Sequence, residues 1–394
     1  MNNYPSSDFE TPLAGSSRRS FLTRAALIGG SALGSTTLLS ACSRKPADDT
    51  SSSSPLSAGG GGTLAGSDAY FNAIKAQVKG RTLQVGWTPP ILSEFFNQME
   101  RAAFRRMADY EAAFGVRWKW QRAAPTGNFN AVEQQVQIVN SWAARKFDAA
   151  LVCTGANFAT MQNVYKTAAK SGMKIYQFNQ PVELYSEDQQ QAISSIGYDN
   201  RWQSGYLAAK YIADKLHGKG KIIQIWGPPG SDWSTARQIG LDKALKEYPG
   251  LQVIAKANGG YLRDQGYNAA QDLLTSHRDV NAIYGENEDM ALGASQAVDA
   301  RGLKQWDGTS GIVVVGADGL VSGMESIRAG KLTASVDVGS VDQGMTFIDT
   351  VFHNAVLGES VGKVINIPTR VVDKTNVDSA EAYMKWALAA PKRY

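Results

Sequence analysis

The strongest constraint on this chain is the regular alternation of two hydrophobic periods. Short apolar, β-branched runs read as buried strands. Each is followed, after a few polar or glycine-rich residues, by a stretch with apolar positions three and four apart, the period of a helix. Arg81–Trp87 reads as the first strand. A Thr88-Pro89-Pro90 break and a helix carrying Phe95, Met99, Ala103 and Met107 on one stripe follow it. Val116–Trp120, Phe147–Thr154 and Lys174–Phe178 continue the strand series, with helices over Ala131–Lys146 and Ala156–Ser171 between them. The pattern then restarts with helix Arg201–His217. Strands Lys221–Trp226, Gln252–Ala257, Val280–Tyr284, Gly311–Gly316 and Leu332–Val338 follow, separated by helices over Ser234–Tyr248, Gln265–Ser276, Met290–Ala297 and Val321–Ala329. A last helix spans Gln343–Leu357, and Tyr383, Met384, Trp386 and Leu388 predict one more in the tail. Strands and helices joined by short links form right-handed βαβ units and parallel sheets. Single cores stop growing near about 250–300 residues, and there are too many strands here for one sheet. The expectation is an α/β fold of two Rossmann-like lobes with a cleft between them.

The first 66 residues do not share this pattern. Ser17-Arg18-Arg19-Ser20-Phe21-Leu22 has the form of a twin-arginine signal, and Ala25–Leu39 is a weakly apolar run of Ala, Leu, Ile, Gly, Ser and Thr. A spanning helix needs about 20 apolar residues; this run suits the middle of an export signal instead. Leu39-Ser40-Ala41-Cys42 resembles a bacterial lipobox, which implies cleavage before Cys42, lipidation of Cys42 and tethering to a membrane surface. Several lipid chains hold such an anchor stably, where one holds it marginally. Residues 43–66, rich in Ser, Gly and Asp, cannot bury enough apolar surface to fold and read as a flexible tether. Residues 1–42 carry Arg18, Arg19 and Arg24 against Asp8 and Glu10, so their loss removes one unit from the formal charge of +4. That charge is small for 394 residues and gives no footing for nucleic acid. Cys153, the remaining cysteine, sits in a buried-strand pattern and reads as a small core residue, so the mature body forms no disulfide.

In open α/β sheets, ligands bind beyond the carboxyl ends of the strands. The residues just after each strand are therefore the candidates: Ser93, Phe95 and Phe96; Asn179; Trp233 and Arg237; Tyr261; Asn287; Asp318; and Asp337 or Val338. Asn287 follows Val280–Tyr284 and precedes an acid-rich first helical turn. It either caps that helix or offers a ligand one donor and one acceptor. Flat aromatics suit the C–H face of a sugar ring. Asn, Arg and Asp supply the paired hydrogen bonds that desolvated hydroxyls require. Such a set fits a small polyhydroxylated ligand.

From about Arg81 to Thr369 the chain resembles the periplasmic sugar-binding proteins of ABC importers, the ribose-binding type. The most specific stretch is Asn287–Ala294 with Leu273-Leu274-Thr275-Ser276-His277 upstream; Val314–Gly319 and Ala329–Thr333 also match family motifs. The resemblance implies a type I solute-binding fold whose lobes are joined by a multi-strand hinge near Tyr198–Asn200, Val338–Ser340 and Pro368. One lobe is expected from residues 81–198 and 339–367, the other from 199–338 and 368–372, with 373–394 as a helical extension. By position, the family's Asn before a Phe pair falls on Ser93. Its Asp-Arg after the fourth strand appears as Asn179-Gln180. Its sugar-binding Arg, aromatic, Asn and Asp fall on Arg237, Tyr261, Asn287 and Asp318. Its hinge Gln falls on Val338, beside Asp337. The first-lobe contacts are thus altered, which points away from ribose towards another pentose, a hexose or a polyol.

The resemblance implies a monomeric cell-envelope protein that passes its ligand to a membrane permease without cofactor, metal or catalysis. A receptor feeding chemotaxis or quorum signalling would use the same cleft. An enzyme finds little support: His217, His277 and His353 lack metal-ligand spacing, Gly227–Gly230 lacks the Gly-Lys-Ser/Thr of a phosphate loop, and there is no Gly-x-Ser-x-Gly elbow. A sugar-responsive repressor would need a helix-turn-helix where the export signal stands.

Overall fold

The structure, a computed structural model, describes residues 67–393 apart from 128, 181–185, 187–188 and 199–201. The twin-arginine run, Cys42 and the tether lie outside the described residues, as do residues 199 and 200 of the expected hinge.

Two six-stranded sheets organise the described residues. The first contains β1 (Thr82–Thr88), β2 (Arg117–Arg122), β3 (Ala149–Val152), β4 (Lys174–Phe178), β5 (Ser194–Tyr198) and β11 (Val364–Ile367), in the order β11-β5-β4-β3-β1-β2. All its pairings are parallel. The second contains β6 (Lys219–Trp226), β7 (Gly250–Asn258), β8 (Ala282–Gly285), β9 (Val313–Asp318), β10 (Ala334–Asp337) and β12 (Arg370–Asp373), in the order β12-β10-β9-β8-β6-β7. Here β12 alone runs antiparallel to its neighbour. The helices are α1 (Ser67–Val78), α2 (Glu94–Phe114), α3 (Val132–Ala144), α4 (Gln162–Ala169), α5 (Gln203–Lys215), α6 (Asp232–Glu247), α7 (Arg263–Ser276), α8 (Glu288–Ala300), α9 (Val321–Arg328), α10 (Ser340–Val351) and α11 (Val377–Leu388). The expected α/β architecture of two parallel sheets is present.

Several elements lie outside the sequence reading. α1 precedes the first strand and, among residues 69–78, buries only Ile74 and Val78, too sparse a stripe to stand out. β5 is fully buried but spelled Ser-Ser-Ile-Gly-Tyr, whose small polar residues hide it. The expected helix over 156–171 begins instead as a 3₁₀ turn at Phe158–Met161, and the helix expected to reach Leu357 widens into a π turn at Phe352–Val356.

The chain crosses between the lobes built on these sheets at two described places. Val338-Gly339 links β10 of the second sheet to α10, which packs on α2 of the first lobe. Pro368-Thr369 links β11 of the first sheet to β12 of the second. Beneath the cleft an aromatic stack joins these parts. Phe178 lies parallel to Trp87 at 5.8 Å, edge-on to Phe96 at 6.3 Å and against Phe347 of α10 at 5.5 Å. Each fully buried ring contributes about 1.5–3 kcal/mol by leaving water. Cys153 is buried and unpaired, a core residue as expected.

Two buried carboxyls hold the strand-end loops of the second sheet. Glu286, just after β8, accepts from Gly227 N at 2.8 Å, Gln224 Nε2 at 2.9 Å and Ser234 Oγ, tying β6 and α6 to β8. Glu288, at the start of α8, accepts from Gly319 N at 2.7 Å, Leu320 N at 3.1 Å and Ser335 Oγ. Burial drives Glu288 up to about 8, against the pull of these donors, and nearby Asp318 adds to the rise.

α11 bridges the lobes. Its buried face, Val377, Ala380, Met384 and Ala387, packs on α2 and α9. Arg328 of α9 holds Asp378 at 2.8 Å and Glu381 at 3.0 Å. Arg101 of α2 donates to Leu388 O at 2.5 Å and to Ala390 O, and Arg393 meets Glu111 through two bonds of 2.8 Å.

Two outcomes follow from these contacts. Arg101→Ala leaves the end of α11 without its donor and should lower the urea-unfolding free energy by about 1–3 kcal/mol. It should also speed proteolysis after residue 388; an unchanged cleavage pattern would show that the contact is idle. For Glu288, the folded group holds its proton to about 8 while the unfolded one releases it near 4.5. Its stabilisation is therefore complete below about 4.5 and lost as pH rises through about 8, at up to roughly 1.4 kcal/mol per pH unit. Glu288→Gln should flatten the fall in urea midpoint between pH 6 and 8.5. An unaltered slope would show that Glu288 is ionised in the fold.

Candidate functional site

A cavity of about 240 Å³ lies between the lobes at the carboxyl ends of both sheets. Its lining brings together Ser93, Phe95, Phe96, Asn179, Trp233, Arg237, Tyr261, Asn287 and Asp318. Ile91, Leu92, Phe129, Leu262, Arg263 and Asp289 join them.

The polar centre is a buried ion pair. Arg237 of α6 donates from Nη2 to Asp318 Oδ1 at 3.2 Å; both side chains are almost wholly buried. Burial pushes Asp318 up to about 7, Arg237 pulls it back, and Asp289 pushes it further up. Arg237 lies 5.9 Å above the Tyr261 ring, and its Nε has no partner among the described residues. A buried donor left open costs more than a weak bond, so this atom is an unanswered donor beside the cavity. Asp289 is held by Arg263 at 2.7 Å from Nη2 and 2.9 Å from Nε.

Asn287 takes the capping role its sequence position allowed, at the edge of the cavity. Its Oδ1 accepts from Met290 N at 3.0 Å and caps α8, while Nδ2 donates to Tyr261 O at 3.3 Å. The cap occupies the acceptor, and Tyr261 O takes one of the two Nδ2 hydrogens.

The aromatic walls come from both lobes. Trp233 Nε1 donates across the cleft to Asn179 O at 2.6 Å, and Tyr261 Oη meets Ser231 Oγ at 3.1 Å. Their polar atoms are thus occupied by protein and their faces are left for the cavity. Phe129 packs edge-on to Tyr261 at 5.5 Å and to Trp233 at 6.4 Å. Two glycines make room for this packing. A Cβ on Gly227 would fall 2.1 Å from Tyr261 Cζ, and one on Gly155 would fall 2.0 Å from Phe129 O. Asn179 and Tyr261 hold positive φ, 51° and 62°. Such strain in non-glycine residues clusters at binding sites.

Two expected residues do not reach the cavity. Gln180 turns inward and donates from Nε2 to Thr154 O at 2.7 Å. Asn179 takes a left-handed φ of 51°, which ends the strand's alternation, and the turn it makes carries Gln180 into the core. Asp337 is held by Arg370 Nε at 2.9 Å and Gly339 N at 2.8 Å, at the crossing between lobes. Phe129 was missed because it stands in an aperiodic loop. The Thr126-Gly127 turn signal after β2 marks that loop as another strand end.

The lobes are latched around the cavity. Glu94 accepts from Ser322 N at 2.9 Å and Ser322 Oγ at 2.7 Å. Gln98 accepts from Val321 N at 2.8 Å and donates to Gly319 O at 3.2 Å. Asp232 accepts from Phe158 N at 2.6 Å. Among the described residues, no group of three or more His, Cys, Asp or Glu side chains could hold a metal ion.

Comparison with known proteins agrees with this geometry. Residues 85–359 match the periplasmic binding protein domain. The chain is 31% identical over 181 residues to a xylitol-binding protein of Mycolicibacterium smegmatis, covering 45% of this chain and 49% of that protein. It is 30% identical over 187 residues to a ribose import binding protein of Haemophilus influenzae, covering 46% and 59%. The matched stretch thus spans about half the length of these relatives. A Bacillus halodurans ABC transporter solute-binding protein solved with myo-inositol superposes with a TM-score of 0.65 at 25% identity, covering 77% of this chain and 98% of that one. With two parallel-sheet lobes closing on one cavity and a domain match across most of its length, the chain belongs to the periplasmic binding protein family.

Proposed function

We propose that the protein captures a monosaccharide or polyol between its lobes outside the cytoplasm and delivers it to an ABC transporter permease, acting as a carrier and not as an enzyme. The buried Arg237–Asp318 pair, set among aromatic faces in an inter-lobe cavity, carries the reading. A guanidinium beside a carboxylate suits vicinal hydroxyls, and the rings of Phe95, Phe96, Trp233 and Tyr261 suit the C–H faces between them. Relatives named for xylitol and ribose, and a neighbour holding myo-inositol, support this ligand class.

In this reading the lobes, residues 81–198 with 339–367 and residues 199–338 with 368–372, close by bending at the crossings near Val338–Ser340 and Pro368. Closure forms the latch between Glu94 and Ser322 and creates the surface a permease recognises. The twin-arginine run exports the chain and a lipidated Cys42 holds it, as a monomer, at the envelope surface, with residues 43–66 as tether. No helix among the described residues is long and apolar enough to cross a membrane, so the anchor in this reading is the lipid.

A thermal-shift screen of the purified protein against pentoses, hexoses, sugar alcohols and inositols tests the proposal. A ligand at 100 times its Kd adds about 2.7 kcal/mol of stability, and a blank panel from folded protein refutes it. The paired change Arg237→Met with Asp318→Asn removes both charges without orphaning either. It should weaken binding of any hit by about 100-fold or more while the protein stays folded by circular dichroism. Glu94→Ala lies outside the cavity lining and should weaken binding about 3- to 30-fold by lowering the closed population, with the ligand-free melting temperature nearly unchanged. Equal affinity in calorimetry would show that the latch does not govern closure.

A further inference from the structure

The described crossings between the lobes leave from one side of the molecule. β10, β11 and β12 stand at or next to one edge of their sheets, and β2 and β7 form the opposite edges. Lobes that bend about those crossings part most widely at the far edge, so the far edge is the mouth of the cleft. Phe129 follows β2 and Tyr261 follows β7, and their rings meet across that mouth.

Phe129 meets Tyr261 at 5.5 Å with 68° between the ring planes, and Trp233 at 6.4 Å with 85°. Tyr261 and Trp233 stand 6.0 Å apart at 69°. Three rings, each steeply inclined to the other two, form a corner in the edge-to-face geometry that aromatic pairs prefer. The first lobe supplies one ring and the second lobe the other two. Backbone seats each side. A Cβ on Gly155 would fall 2.0 Å from Phe129 O and 3.0 Å from its Cβ, so Phe129 rests directly on that glycine. A Cβ on Gly227 would fall 2.1 Å from Tyr261 Cζ, and Ser231 Oγ meets the Tyr261 hydroxyl at 3.1 Å. Asp232 makes a second cross-lobe contact, accepting from Phe158 N at 2.6 Å and Asn157 Nδ2 at 3.2 Å. All three rings line the cavity, whose 240 Å³ is less than the about 300–1,000 Å³ of sites for drug-sized molecules.

We propose that Phe129 is the residue that limits the ligand to a single sugar or polyol unit. Its ring shuts the mouth on Tyr261 and Trp233, so a second unit carried on the ligand towards the mouth holds the lobes apart. A molecule behind the corner leaves only after these ring contacts part, so the same residue sets the exit rate. This rests on the sugar-capture reading above and adds the residue that fixes ligand length.

Stopped-flow kinetics and titration calorimetry on the purified protein test it with matched pairs: D-ribose and methyl β-D-riboside, D-xylose and xylobiose, D-glucose and cellobiose, D-galactose and galactobiose, xylitol and xylobiitol, myo-inositol and galactinol. The single unit that binds should do so at least about 100-fold more tightly than its extended partner, the discrimination coming from a clash built against the longer ligand. Phe129→Ala should speed its dissociation about 10- to 100-fold with the association rate within about threefold. The same variant should narrow the single-to-extended ratio below about tenfold, with circular dichroism unchanged. Gly155→Ala keeps the ring but lifts Phe129 from its seat, and should move both quantities in the same direction. Equal binding of an extended partner by the unaltered protein overturns the length limit. A ratio unchanged in Phe129→Ala, whatever its affinity, makes Phe129 a wall residue only and overturns its role. Both of these outcomes leave sugar capture standing. No binding by either member of any pair overturns the capture reading itself.

Discussion

An ionisable group removed from water must be answered inside the protein, and the second lobe is arranged to answer four of them at one edge of its sheet. Glu286, Glu288, Arg237 and Asp318 all sit at or just beyond strand ends, buried. The answers are mostly backbone N–H groups and hydroxyls of neighbouring loops: Gly227, Gly319, Leu320, Ser234 and Ser335. Each carboxyl therefore fixes the loop that carries the next cavity residue. Glu288 holds the turn after Asp318, Asp318 holds Arg237, and Glu286 holds the turn between β6 and α6. The partial mismatch between burial and hydrogen bonding shows in the raised proton affinity of Glu288 and Asp318. A preorganised polar edge of this kind leaves little reorganisation to be done when a ligand arrives.

The other side of the cleft is held by packing. The stack of Trp87, Phe96, Phe178 and Phe347 ties β1, α2, β4 and α10 together directly below the cavity. The first lobe thus offers a rigid apolar floor and the second a rigid polar edge. The Trp233 N–H on Asn179 O is where the two meet.

Much of this could be read from the sequence, for identifiable reasons. Val313–Ala317 is a continuous apolar run and Ile222–Ile225 is one but for Gln224, as suits strands buried on both faces, and the rule that ligands meet strand ends then led to Arg237, Tyr261, Asn287 and Asp318. Ser194–Tyr198 is buried just as deeply, but its serines and glycine carry no hydrophobic period. Gln180 and Asp337 show the limit of one-residue resolution at a strand end. A side chain there belongs to the cavity or to the core according to parity and the turn that follows, and hydrophobicity is silent on both. Phe129 lies in a loop whose position follows only from folding the chain.

α11 touches both lobes through α2 and α9, and its end is gripped by Arg101 and Arg393. A bend at the two crossings between the lobes therefore loads the helix as well, and one of its two seats has to give as the bend proceeds. The carboxyl end is thus part of the contact between the lobes and not an appendage of one of them. A purification tag or fluorophore appended there would load the brace directly. One placed ahead of α1 would report on the first lobe without touching the joint.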